Sequence, residues 1–108
     1  MHRINVASGP LPDGDIVTVR EVFQHLSNET ILAALANLRR SFTRAIVTES
    51  IYRRPAVPNL DIVSGYRTRD GLKSGVYLDL APFSLRVLEH VDCPVSNDEV
   101  LRTVVVAL

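Results

Sequence analysis

The sequence predicts a single α/β domain, a mostly parallel sheet that carries one helix and ends in an antiparallel hairpin. Three observations predict it. Two short β-branched runs, Ile16-Val17-Thr18-Val19 and Ala45-Ile46-Val47-Thr48, are apolar on consecutive positions, as expected of strands buried on both faces of a parallel sheet. Between them lies one stretch of helical periodicity, and strand, helix, strand forms a βαβ unit with a right-handed crossover. Near the carboxyl end two further β-rich runs are joined by a short connector, which makes them an antiparallel pair.

Taken in order, Ser8 to Asp15 reads as a turn, since Gly9-Pro10, Pro12 and Asp13-Gly14 all disfavour regular structure. The first strand covers Asp15 to Arg20. Ser27 stands at a helix N-cap, and Glu29 falls in the first turn, where an acid meets the positive end of the helix dipole. Ile31, Leu32, Ala34, Leu35 and Leu38 make one apolar face, and Arg39 and Arg40 fall in the last turn, so the helix runs from Asn28 to Arg40. Ala45 to Thr48 is the second strand. Tyr52 to Gly75 is a long irregular stretch broken by Pro55, Pro58, Gly65 and Gly71; loops of this length in small domains are usually functional or disordered. Val76 to Leu80 is an extended piece, and Pro82 interrupts. Leu85 to Val91 alternates apolar with polar, as a half-exposed strand does. Asp92 to Glu99 supplies a loop, and Arg102 to Leu108 is the terminal strand.

Length and composition exclude several classes. A chain of 108 residues is one domain, 1–108, and with 46% hydrophobic and 22% charged residues it is neither disordered nor collagen-like nor a disulfide scaffold. Twelve basic and twelve acidic side chains cancel, so the total charge gives no reason to expect a nucleic-acid partner. No apolar run approaches the roughly 20 residues of a membrane span, and Met1 to Asn5 opens no signal-peptide pattern. A cytoplasmic location without membrane contact is expected. The single Cys93, beside Pro94, is an apolar filler, and His2 and His90 lack metal-ligand spacing. The charge is unevenly spread: residues 39–73 hold eight basic side chains against three acidic ones. That surplus is either a solvated helix end and loop or a surface for an anionic partner.

Five segments, in order, resemble one enzyme family. Pro10-Leu11-Pro12-x-x-Asp15 with Arg20-Glu21-x-x-x-His25-Leu26-Ser27 looks like a fourth-strand segment of class I S-adenosylmethionine-dependent methyltransferases. Ala33-Ala34-Leu35-x-Asn37-x-x-x-Ser41 resembles the helix that follows, and Ala45 to Thr48 the fifth strand. Asn59-x-Asp61-Ile62-x-x-Gly65-Tyr66-Arg67 resembles the loop after it, and Leu78-Asp79-Leu80-Ala81-Pro82-Phe83 the run that closes the loop. The resemblance covers about residues 9 to 91. It implies a partial Rossmann-like sheet whose last strand inserts antiparallel between the second and third.

Two departures qualify the likeness. Glu21 stands where the family has Asp. The glycine-rich turn and the ribose-holding acid that such enzymes use for the cofactor have no counterpart in Met1 to Pro12. The chain therefore resembles the carboxyl-terminal, acceptor-side half alone, a fragment or one subunit of a split enzyme. Weak S-adenosylmethionine binding by the isolated chain, or none, is expected.

Ligands of open α/β sheets bind beyond the carboxyl ends of the strands, which places Arg20, Glu21, Gln24 and His25 at the cleft. His25 has the right kind of pKa for a general base, and Glu21 the charge to orient it or to attract the sulfonium. Arg20 pairs with Glu21 or an acceptor carboxylate, and the resemblance implies a place beside the cofactor's methionine end. Gln24, with Asp61, Tyr66 and Arg67 of the long loop, borders the methyl acceptor, a small molecule or a protein. The bland alternative is that His25 packs beside the helix start and Arg20–Glu21 is structural. The outer edge of Asp15 to Arg20 has no charge, proline or glycine between Ile16 and Val19, so nothing blunts it. A homo-oligomer or a cofactor-half partner chain is expected there. The competing reading is a non-catalytic binding or oligomerisation module derived from such an enzyme.

Overall fold

The computed structural model describes residues 16–65 and 67–108. The expected turn at Ser8 to Asp15, with its Pro10-Leu11-Pro12 motif, and Tyr66 lie outside the described residues. Strand β1 spans Ile16–Arg20, helix α1 Asn28–Arg39, β2 Arg44–Tyr52, β3 Val87–Pro94 and β4 Glu99–Ala107. The four strands form one sheet in the order β1-β2-β4-β3.

That order corrects the expected sheet. β1 pairs parallel with β2, but β4 pairs antiparallel with both β2 and β3. The sheet is mixed and mostly antiparallel, not a mostly parallel Rossmann-like one. The physical reason is the short hairpin: residues 95–98 are too few for a crossover, so β4 must run against β3. It then fills the slot beside β2, and one inserted strand turns two of the three ladders antiparallel. The insertion of the last strand between the second and third is present as expected.

Helix α1 starts where the sequence places it. Ser27 adopts extended backbone, and its Oγ accepts the Thr30 N–H at 3.2 Å, which satisfies one of the free donors of the first turn. Ile31, Ala34, Leu35 and Leu38 are buried, whereas Leu32 is 42% exposed. Leu32 lies at the margin of the apolar stripe and faces water. These four pack with Val19, Ala45, Val47 and Val106 on one face of the sheet.

β2 is more than twice as long as expected, and its burial alternates: Ala45, Val47, Glu49 and Ile51 are buried, while Arg44 is exposed and the residues between them are half-buried. Among the described residues a helix covers only one face, so the consecutive apolar run does not mark burial on both. β3 begins two residues later than expected, shifts register between Val87 and Glu89, and is exposed from Leu88 onward. Val76 to Leu80 forms no strand; Val76, Tyr77 and Leu78 are buried as irregular chain.

The connection from residue 53 to residue 86 is a strap held by buried side chains. Asn59, at φ 54°, accepts from the Tyr77 N–H at 2.6 Å and donates to the carbonyls of Tyr77 and Ala81 at 2.9 and 2.8 Å. An asparagine adopts this left-handed conformation more readily than most residues. Ser74 donates to the Val57 carbonyl at 2.7 Å. The strap touches β2 at Gly75, where an added Cβ would lie 2.7 Å from the Cβ and Cγ2 of Ile51. Only glycine fits that approach. Gly75→Ala should therefore destabilise the fold by about 1–3 kcal/mol through overpacking. Gly71→Ala, whose Cβ would meet only Thr68 Oγ1 at 3.7 Å, should be close to neutral. Urea midpoints of the two variants, at unchanged slope, check this.

Candidate functional site

At the carboxyl end of β1 the backbone turns sharply. Glu21 has φ 53°, a left-handed conformation uncommon for a residue with a side chain, and its N–H donates to the Thr48 carbonyl at 2.7 Å. The strained residue thus extends the β1–β2 ladder by one bond. Its side chain stays outside, 45% exposed, and its Oε2 lies 4.0 Å from Nε of Arg20, which is 72% exposed. A pair this long and this wet contributes little to stability.

The turn that follows is held from within by a residue the sequence reading missed. Glu49 of β2 is 3% exposed. Its Oε1 accepts the N–H groups of Val22 and Phe23 at 3.3 and 2.9 Å, and its Oε2 accepts that of Gln24 at 3.3 Å. Burial raises its pKa to about 7 against these three bonds, which act to lower it, and Glu21 adds a smaller push upward. Desolvation wins. The signal for Glu49 was present: it shares strand parity with Ala45, Val47 and Ile51. A strand ended at Thr48 hides it.

The strap brings several expected residues to this end of the sheet. His25 Nδ1 lies 3.2 Å from the Arg67 carbonyl, and the His25 carbonyl accepts the Gly65 N–H at 2.9 Å. The tautomer that donates from Nδ1 to this carbonyl leaves Nε2 as an acceptor. Asp61 Oδ1 accepts the N–H of Asn28 at 2.8 Å and that of Ile62 at 3.0 Å, so this carboxylate sits at the amino end of α1, where the dipole favours it. Gln24 is buried, with Oε1 accepting the Ser50 N–H at 3.0 Å. The Arg67 side chain is exposed.

Arg69, also unforeseen, is fully buried and gives Nη2 to the Leu26 carbonyl at 2.6 Å. Its Nε and Nη1 have no hydrogen-bond partner. Burial lowers its pKa, while Asp61 and Glu49 act to raise it. The structure therefore joins His25 to the Arg67 backbone and Asp61 to the start of α1, and leaves Arg20 and Glu21 exposed at the end of β1. Gln24 is instead buried against β2.

No family model, curated protein or solved structure matches the chain. Among the described residues no helix is long and apolar enough to cross a membrane.

The raised pKa of Glu49 gives a signed pH dependence. A carboxyl with an ordinary value of 4.5 and a folded value of about 7 binds more protons folded than unfolded across that interval, so its contribution to stability falls as pH rises through it. The fall amounts to about 3 kcal/mol and is complete above the folded pKa. Glu49→Gln should remove this slope. Urea titrations of both proteins across the interval, with the carboxyl carbon shift of Glu49 followed by NMR, measure it.

Proposed function

We propose that this chain is the acceptor-side part of an S-adenosylmethionine-dependent methyltransferase and works with a cofactor-binding half carried on other residues. The observation that supports this most is the strand order. A parallel β1-α1-β2 unit is followed by a last strand that inserts antiparallel between β2 and β3, as the resemblance of five ordered segments implies. The residues at the end of β1 fit one end of the cofactor only. Arg20 and Glu21 offer exposed charges of both signs that would hold its methionine portion, and nothing in the 108 residues supplies a glycine-rich turn.

The bound cofactor would supply a methyl group on a sulfonium cation, transferred by in-line displacement. This chain's own part is positioning and proton handling. His25, oriented through Nδ1 by the Arg67 carbonyl, takes the acceptor's proton at Nε2. Glu21, outside the turn, would offer negative charge to the bound cofactor. The strap, tied to the start of α1 through Asp61 and Ser64, excludes water from the acceptor side.

A second reading, a non-catalytic association module, draws on the sheet edge. Among the described residues β1 pairs only with β2, and Ile16 is 51% exposed. An unpaired edge of this kind suits a second copy of the chain or a cofactor-half partner.

The test is titration of the chain with S-adenosylhomocysteine, followed by amide NMR. Millimolar affinity is expected, with shifts confined to Arg20, Glu21, His25 and the strap. Supplying a glycine-rich methyltransferase half should bring affinity to the micromolar range. In that complex His25→Ala should lower turnover by about a hundredfold or more, as loss of a general base does. Arg20→Ala should lower turnover too, and change stability by under about 0.5 kcal/mol, as surface substitutions usually do. Shifts elsewhere on the sheet, or no gain in affinity with the second half present, would favour the association module.

A further inference from the structure

Between the helix-bearing face of the sheet and the strap lies a cavity of about 220 Å³, the liquid volume of roughly seven waters. Val47, Ile51, Val76, Leu78, Val87 and Val104 make its walls apolar, and Glu49, Asp79, His90 and Arg102 give it one polar side. It is small for a drug-sized ligand, and it combines an apolar lining with a few polar groups, as binding cavities do.

The charges on that side are unequal in their freedom. Arg102 on β4 makes a two-point contact with Asp92, Nε to Oδ1 at 2.7 Å and Nη2 to Oδ2 at 2.8 Å, so its charge is already matched. Asp79 is exposed, and among the described residues no cation lies in ion-pair range of Asp79 or Glu49. A carboxylate has about four lone-pair directions; the backbone fills two on Oε1 of Glu49 and one on Oε2. Oε2 keeps one. Arg69 acts on Glu49 and Arg102 on Asp79 at longer range, but among the described residues neither carboxylate has an ion-pair partner, so each gains from a cation brought in with the ligand. An anion would meet both carboxylates. Among the described residues no three metal-ligating side chains converge, and the walls are apolar, so the fitting cation is an organic one.

We propose that this cavity binds a small protonated amine, with its hydrocarbon body against the valine and leucine walls and its ammonium group shared between Glu49 and Asp79. The site stands on the cavity alone and holds whether or not the chain takes part in methyl transfer. The ammonium favours the ionised form of Glu49, so binding releases a proton and strengthens as pH rises through about 7. The other charged groups around Glu49 are Glu21 beyond β1, Asp61, Arg69 and Asp79 on the strap, His90 on β3 and Arg102 on β4. His90 is the one histidine among them, and a positive charge on its ring would oppose the cation.

The experiment titrates the full chain with isobutylamine, isobutanol and isobutyrate, one branched skeleton with three charges, and follows the methyl signals of Val47, Ile51 and Val104. The amine should shift these signals saturably, and bind about tenfold or more tighter than the alcohol or the acid, the effect of one ion contact near 1.4 kcal/mol. Its affinity should rise severalfold between about pH 6 and about pH 8, as linkage to one carboxyl requires. His90→Gln should keep this dependence and Glu49→Gln should abolish it. Asp79→Asn, an exposed substitution that leaves the fold intact, should weaken the amine alone. Equal or tighter binding of isobutyrate, absence of saturable shifts, or an amine affinity unmoved by Asp79→Asn would overturn the proposal.

Discussion

Three successive backbone N–H groups, those of Val22, Phe23 and Gln24, converge on the carboxylate of Glu49, and the arrangement of this end of the sheet depends on it. The chain leaves β1 through the left-handed Glu21 and must reach the start of α1 within six residues, 22–27. In that interval a single 3-10 turn takes the His25 and Leu26 N–H groups but not the three before them, and buried N–H groups without acceptors are costly. Glu49 supplies the acceptors from the neighbouring strand. The same contact sets Phe23 into the core and Gln24 against Ser50, which leaves His25 facing the strap. Burying the acid raises its proton affinity, so the group that orders the turn is itself held in a less favoured state of charge.

The strap is the second consequence. The described residues of 53–86 contain no strand, yet Asn59, Arg69 and Ser74 are buried within it. Each replaces a backbone ladder by bonds from one side chain to distant main-chain groups: Asn59 to Tyr77 and Ala81, Ser74 to Val57, Arg69 to Leu26. A long irregular segment is thereby made as definite as a regular element. Tyr77 completes the closure by donating its hydroxyl to the Tyr52 carbonyl, and burial pushes its pKa up to about 12. The cavity beside Glu49 exists because this strap, rather than a helix packed closely on the sheet, covers that part of β2.

The sheet shows how one strand can change the character of a domain. β1, β2 and β3 run in one direction, which follows from their pairings, and β4 alone runs against them. Because β4 lies between β2 and β3, its direction decides two ladders. Its outward neighbour β3 is left exposed along most of its length, stabilised by the hairpin and by the Arg102–Asp92 contact, which also holds the Asp92 carboxyl below its usual range.

What the sequence determined by itself was local. The Ser27 cap, the spacing of Ile31, Ala34, Leu35 and Leu38, and the short β3–β4 connector each act within a few residues. The helix and the hairpin were therefore legible, as was the position of Arg20, Glu21 and His25 in the chain just past β1, since strand ends and caps mark it. The length of β2 was not, because Glu49 and Ser50 look like a loop until Glu49 is seen to be satisfied by donors more than twenty residues away. The inserted strand came from the resemblance, but the mostly antiparallel character it imposes was not read, because one strand placed between two others decides two ladders at once. Arg69 read as one more surface cation of a basic stretch, and only the enclosure by the strap buried it. Tertiary structure decided those matters because each turns on a polar group whose environment comes from a distant segment, and the cost of burying such a group is set by its partners rather than by its neighbours in the chain.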